Sequence, residues 1–298
     1  MESDKHIYCE KPITANYEEA EEIAEAFDDY RGIHQMTFNY RFFTATLRAK
    51  QLMEEGFIGT PSCFRAAFLH SGSIDPQKPL EWKLDSEKGG GVLNDLAIHV
   101  IDLMQYLLGE FDRVMTTTSI LFNERPAGNG SKRTLKVNAE DHACMMIKND
   151  DGLIGTIEAS KVATGTQDEL RFEIHGTEGA IGFNLMDPNW LLIYDQHSES
   201  EPIGGKRGFT KVECVQRYPA PGGEFPASKT TIGWLRSHVA CLYNFLSALH
   251  EGRQPEPGLQ TGINLQHFLD AARKSETKGS YVRCTPSPFS LAKDGAKR

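Results

Sequence analysis

Apolar and polar positions alternate along the first forty residues in two different periods. Residues 6–9 read as a short strand. From Asn16 to Tyr30 the apolar residues Tyr17, Ala20, Ile23, Ala24 and Phe27 fall on one helical face, with Asn16 and Glu19 spaced as a capping box. Gly32 ends that helix, and 33–40 reads as a second strand, so residues 5–40 predict the closing βαβ unit of a parallel sheet. Residues 44–55 predict another helix, with Gly56 as its stop.

The period then changes to two. Runs 64–69, 113–122, 142–147, 153–160, 170–175, 180–184 and 191–194 are strand-like, and Asn149-Asp150-Asp151-Gly152 and Gly176-Thr177-Glu178-Gly179 carry hairpin turn chemistry. They predict a large, mostly antiparallel sheet. Residues 196–229 fill with glycine and proline and predict a long loop. Helices are expected over 234–250 and 258–277, the first with Leu235, Val239, Leu242, Leu246 and Leu249 as a core stripe. Residues 285–298 read as a poorly ordered tail.

One predicted helix differs from the rest. In Gly89-Gly90-Gly91-Val92-Leu93-Asn94-Asp95-Leu96-Ala97-Ile98-His99-Val100-Ile101-Asp102, a turn of 3.6 residues puts Asp95, His99, Asp102 and Tyr106 on one face of an otherwise apolar helix. Carboxylates and imidazoles are costly to bury alone, so this stripe is expected to line a wet cleft where a proton moves. Read alone, Asp95 and His99 would serve equally well as a satisfied core pair.

Charge and composition narrow the classes. The chain has 298 residues and a net charge of -9, with no basic stripe for nucleic acid or an acidic membrane. It contains no apolar run long enough to span a bilayer. Its six cysteines have no C-x-x-C spacing, so reduced thiols and a cytoplasmic location are expected. Asp95, His99 and Asp102 lack the further strong ligands a zinc site recruits, and no metal is expected.

A second motif, Tyr8-Cys9-Glu10-Lys11-Pro12, stands at the exit of the first strand. Proline ends the strand and keeps Lys11 extended at a strand end, where open α/β sheets hold ligands. Glu10-Lys11-Pro12 followed about 85 residues later by Asp95-x-x-x-His99 resembles the glucose-fructose oxidoreductase / inositol dehydrogenase (Gfo/Idh/MocA) family of NAD(P)-dependent sugar and polyol dehydrogenases. Asn39-Tyr40-Arg41-Phe42, Gly56-Phe57-Ile58-Gly59, Glu178-Gly179-Ala180 and Ala271-Ala272-Arg273-Lys274-Ser275 extend the resemblance over nearly the whole chain. Ala97 departs from it, since the family usually has glycine there.

The resemblance implies an α/β plus α+β chain, the remnant of a Rossmann-type parallel sheet followed by a large, mostly antiparallel open-sheet domain with flanking helices. Residues 1–42 would be the end of the dinucleotide-binding domain, 43–284 the substrate-binding and oligomerisation domain, and 285–298 the tail. No Gly-x-Gly-x-x-Gly occurs, so the earlier βα units of that domain are expected to be missing, and Gly89-Gly90-Gly91 and Gly204-Gly205-x-x-Gly208 read as loop glycines.

The implied catalytic residues are Lys11, Asp95 and His99. Glu10, Lys11, Pro12 and Arg41 would face the NAD or NADP cofactor, and Lys11, Asp95 and His99 the sugar. Trp82 and Lys83, just upstream of the glycines, read as an apolar sugar face and a donor, Trp82 equally well as plain core. Hydride would pass between a secondary hydroxyl of a sugar, inositol or glycoside and NAD(P), in a homodimer or homotetramer formed through the open sheet. The alternative reading is a non-catalytic sugar-binding or interaction module that has lost its nucleotide half.

Overall fold

Parallel pairing of two short strands opens the chain in the computed structural model, which describes residues 5–27, 30–215, 230–231 and 233–284. Strand β1 (Ile7–Cys9) lies beside β2 (His34–Met36), joined through helix α1 (Tyr17–Phe27). The Asn16 side chain accepts from the Glu19 N–H at 2.9 Å, and the Glu19 carboxylate accepts from the Ala15 N–H at 3.0 Å. The capping box is present with its return arm landing one residue early. β2 stops at Met36, short of the expected Tyr40. The Met36 N–H is taken by the Pro257 carbonyl and the Thr37 N–H by that of Cys9, after which Asn39–Phe42 coils into a 3-10 turn.

After helix α2 (Thr44–Glu54), β3 (Pro61–Leu69) enters the main sheet. The other strands are β4 (Arg113–Ser119), β5 (Glu124–Pro126), β6 (Thr134–Lys136), β7 (His142–Lys148), β8 (Ile154–Ser160), β9 (Glu169–Gly176), β10 (Gly179–Asn184), β11 (Trp190–Asp195), β12 (Thr210–Glu213) and β13 (Val282–Arg283). Nine of them form one sheet in the order β12-β11-β10-β9-β3-β8-β7-β4-β13. Its pairs are antiparallel except β3 with β8, which matches the expected mostly antiparallel sheet. All seven predicted runs are strands, and both turn tetrapeptides close antiparallel hairpins.

Three elements escaped the pattern: the β5–β6 hairpin, β12 and β13. They are too short and polar to show an alternation. The hairpin nevertheless holds the most buried cation of the described chain. Arg125 is fully buried, and its two terminal nitrogens donate to the Asp75 and Ser73 carbonyls at 2.6 Å each.

Alternation sorts the two faces of the sheet. In β7, Ala143, Met145 and Ile147 are buried while Cys144, Met146 and Lys148 are exposed. The buried face packs on α2, on α3 (Ile98–Leu108) and on α5 (Leu259–Lys278), with Phe64 stacked on Phe111 at 5.3 Å between them. The opposite face is open, as expected. Arg65, Met146, Glu158, Arg171, Glu173 and Leu192 line a shallow concavity of about 700 Å³ across it.

Three residues of the stripe expected in the core lie outside it, while Val239 and Leu249 are half-buried. In α4 (Trp234–Glu251), Leu235, Leu242 and Leu246 are 67%, 43% and 53% exposed. The helix instead turns Ser237, Ala240, Cys241 and Phe245 inward. Buried Gln35 requires this, because its amide donates to the Cys241 carbonyl at 2.8 Å, which demands a close approach that small residues permit. No described helix is long and apolar enough to cross a membrane. Residues 216–229 of the predicted loop and the predicted tail 285–298 lie outside the described residues.

Candidate active site

The glycine run fixes where the ionisable helix begins. A Cβ on Gly90 would stand 2.4 Å from the Trp82 carbonyl oxygen, and one on Gly91, at φ +107°, would stand 2.4 Å from the Glu140 carboxylate. That close approach lets Glu140 accept the Leu93 N–H at 3.0 Å, while its carbonyl takes the Val92 N–H at 2.8 Å. These contacts dock the helix start onto the segment before β7. Leu93–Ala97 then forms a π-helical turn leading into α3. Such widened turns are frequent at functional sites. Asp95 sits in this turn, and its side chain is 14% exposed.

Lys11, at the end of β1, reaches the same turn. Its Nζ donates to the Asp95 carbonyl at 2.6 Å and lies 3.4 Å from Asp95 Oδ1. Lys83 Nζ meets the same oxygen at 3.2 Å, and Lys161 Nζ is 3.4 Å from Oδ2. Burial works to raise the Asp95 carboxyl, but Lys161, Lys11 and Lys83 together outweigh it and hold the group down at about 2. Burial lowers the Lys11 ammonium, against the pull of Asp95. One carboxylate met by three ammonium groups is a donor set that repels a metal cation.

His99 lies one turn further on, 8% exposed, inside a cage of aromatic edges: Tyr40 at 4.9 Å, Phe68 at 6.0 Å and Phe38 at 6.2 Å. Burial holds its imidazole well below the usual range, and the Lys11 charge adds to that while Asp95 opposes. His99 is therefore neutral at physiological pH. Its Nδ1 is buried with no hydrogen-bond partner among the described residues. A neutral imidazole one turn from Asp95, with the Lys11 charge acting on it, has the chemistry of a proton acceptor. A pocket of about 150 Å³ lined by His70, Lys78, Glu81, Lys83, Asp95 and Lys161 adjoins this cluster.

The lower half of the predicted stripe turns elsewhere. Asp102 is 1% exposed, and both of its oxygens are taken by Arg41, Nε to Oδ2 at 2.8 Å and Nη2 to Oδ1 at 2.5 Å. The guanidinium also sits 4.8 Å over the Tyr106 ring. This corrects one expectation, that Asp102 lines a wet cleft; Arg41, expected at the cofactor, commits Nε and Nη2 of its guanidinium to Asp102. The residues share an azimuth on the helix, but each turn meets a different neighbour.

Glu10 accepts from the Thr37 hydroxyl at 2.6 Å, which ties Glu10, Lys11 and Pro12 to the end of β2. Trp82 is 52% exposed with Lys83 Nζ 5.6 Å over its ring, so it stands at the rim of the cluster.

Lys161 was not legible in the sequence, and neither were several neighbours. Tyr40 takes a hydrogen bond from Trp234, and Asp168, raised by burial, acts on Tyr40 from nearby. Trp234 is 53% exposed, and its ring lies tilted against that of His238 at 4.0 Å. The one available signal for Lys161 was a charge placed just past an apolar strand, at the end where sheets hold ligands.

A βαβ unit that hands a lysine to an acid and a histidine on an open-sheet domain defines a class: oxidoreductases that join a nucleotide-binding fold to such a sheet. Comparison with known proteins agrees. Residues 46–182 match the GFO/IDH/MocA C-terminal domain. The chain is 34% identical over 293 residues to levoglucosan dehydrogenase of Pseudarthrobacter phenanthrenivorans, covering 94% of this chain and 74% of that protein. It is 33% identical over 203 residues to a scyllo-inositol 2-dehydrogenase (NAD(+)) of Bacillus subtilis, covering 68% of this chain and 55% of that one. A solved levoglucosan dehydrogenase in complex with NADH superposes with a TM-score of 0.88 at 34% identity, over 95% of this chain and 74% of the other. The chain belongs to the Gfo/Idh/MocA family of oxidoreductases.

Proposed function

We propose that the protein transfers hydride between a secondary hydroxyl of a sugar, inositol or glycoside and NAD or NADP, with Lys11, Asp95 and His99 as its catalytic residues. The observation that carries this reading is the convergence of Lys11, on the βαβ unit, with Asp95 and the neutral imidazole of His99 on the sheet domain. The NADH complex of the related levoglucosan dehydrogenase supports the cofactor.

The residues fit the nicotinamide end of such a cofactor. Lys11 leaves the end of β1, and His99 Nδ1 and His238 Nε2 are buried polar atoms without partners among the described residues. Glu10, Lys11 and Pro12 would hold it there. When bound, the cofactor takes up the hydride from the alcohol carbon. His99 receives the hydroxyl proton, and Lys11 places a cation beside the oxygen as charge develops on it. Asp95 accepts from neighbouring sugar hydroxyls, and Trp82 offers an apolar face at the rim. We assign residues 1–42 to the cofactor side and 43–284 to substrate binding and to association of copies through the open sheet face.

Steady-state oxidation of a panel of sugars, inositols and glycosides with NAD and NADP tests this reading. In a version of the chain joined to a complete dinucleotide-binding domain, His99→Ala is expected to lower turnover roughly a hundredfold or more, with a smaller effect on substrate affinity. Unchanged turnover at every pH would remove His99 from the role. Sugar binding with no oxidation by the version joined to a complete dinucleotide-binding domain would favour the binding-module reading.

A further inference from the structure

Of the three lysines at Asp95, one is placed unlike the others. Lys11 and Lys83 approach from strand-exit and turn segments, with side chains 16% and 47% exposed. The Lys161 side chain is only 6% exposed and follows directly on β8. Its backbone is fixed on both sides, with its N–H donating to the Asp141 carbonyl at 2.8 Å and its own carbonyl accepting from the Ser73 N–H at 2.9 Å. Its ammonium donates to the Lys83 carbonyl at 3.0 Å. That same carbonyl accepts the Gly91 N–H at 3.0 Å, so Lys161 ties the turn bearing Lys83 to the glycine run that starts the Asp95 turn.

We propose that Lys161 is a positioning residue of this site: it fixes the orientation of the Asp95 carboxylate by holding Oδ2, and fixes Lys83 through its backbone carbonyl. Lys11 and Lys83 both stand on Oδ1, while Lys161 stands on Oδ2. Removing Lys161 leaves a buried oxygen without its cation and frees the carboxylate to swing toward the other two lysines. Lys11 would then be drawn into a tighter pair and away from a ligand. The groups that face Asp95 are Lys11 from β1, Lys83 from the Trp82–Leu84 turn, Lys161 from the end of β8 and His99 from its own helix. Lys161 is the largest favourable charge among them.

The kinetic consequence rests on the dehydrogenase reading, whereas the electrostatic one does not. Carbon-detected NMR of protein labelled at aspartate carboxyls reads the Asp95 titration directly. Lys161→Met, which keeps length and loses charge, is expected to weaken Asp95 ionisation roughly tenfold, a rise of about one pH unit, and Lys161→Arg to restore most of it. A purely structural role would not be rescued by charge. An Asp95 midpoint unchanged in folded Lys161→Met would overturn the proposal.

Should Lys161→Met fail to fold, the reciprocal measurement decides. Asp95→Asn must lower the Lys161 ammonium pKa by a comparable factor, read by 15Nζ shifts, and no change there would equally overturn the proposal. In turnover, Lys161→Met is expected to raise the KM for the polyol more than it lowers kcat, because a misaligned Asp95 holds the sugar hydroxyls poorly, with Lys161→Arg bringing KM back. Loss of the NMR shifts with normal oxidation would sink the role of Lys161 alone. Intact shifts with no oxidation of any polyol would sink the dehydrogenase reading alone.

Discussion

Replacing Asp102 by alanine separates a buried structural pair from a catalytic carboxylate. Asp102 and Arg41 meet through both arms of the guanidinium, at 2.8 and 2.5 Å, with side chains 2% and 12% exposed. Burial pushes the Asp102 carboxyl up against the pull of Arg41, so the attraction is largely spent on desolvation. Such a pair adds little net stability, yet breaking it on one side strands a buried charge and costs about 3–5 kcal/mol. For a chain of this size, at about 2–4 °C per kcal/mol, Asp102→Ala should lower the thermal midpoint by roughly 6–20 °C. Asp102→Asn keeps acceptor capacity for one arm and should fall between. The double change Arg41→Met with Asp102→Leu removes both desolvation costs and should recover most of the loss. Circular dichroism melts at about 0.1 M and about 1 M salt provide the measurement, and the buried pair predicts little salt dependence. A shift of under about 2 °C for Asp102→Ala, with turnover reduced instead, would refute this reasoning and return Asp102 to a wet cleft.

Asp95 gives a pH prediction of defined sign. Its folded pKa of about 2 lies below the unfolded value of about 3.9, so the stability it contributes is complete above pH ~4 and is lost as pH falls toward 2. Asp95→Asn should flatten that part of an acid-unfolding curve, and an unaltered curve would contradict the lysine cluster. Gly155→Ala should destabilise by about 1–3 kcal/mol in urea titrations, because its Cβ would stand 1.9 Å from the ring of Phe64, itself stacked on Phe111. If copies associate through the open face, Met146→Lys, at a position 47% exposed on β7, should dissociate them in light scattering. A monodisperse monomer of the unaltered protein would contradict the association itself.

The strands were legible because the sheet is open on one side. Alternation such as Ala143, Met145 and Ile147 against Cys144, Met146 and Lys148 survives only where one face meets solvent, and glycine-bearing turns mark its ends. The α4 leucines show the limit of periodicity. Period alone says that Leu235, Leu242 and Leu246 share a face, and the face chosen for burial was decided elsewhere, by the hydrogen-bonding needs of Gln35 and Asn39 on the facing segment. Their partners, Cys241 and Ser237, lie on the side that a hydrophobic count ranks second.

The site divides along the same line. Lys11, Asp95 and His99 were readable because each belongs to a local motif whose geometry is nearly self-contained: a strand exit before proline, and one turn of helix. Lys161 was not, since its one signal, a charge just past a strand, is common and gains meaning only when β8 is laid beside β3 and its ammonium is carried to a carboxylate on another element. The same reasoning explains why Asp102 was misplaced. A helical stripe fixes direction around the axis, while the environment along the axis changes within two turns, from three lysines at Asp95 to one guanidinium at Asp102. The lysines at the upper turn keep a carboxylate charged at the mouth of a pocket. The guanidinium at the lower turn seals one inside the core, anchoring the helix so that the upper turn, widened into a π turn, can face the pocket.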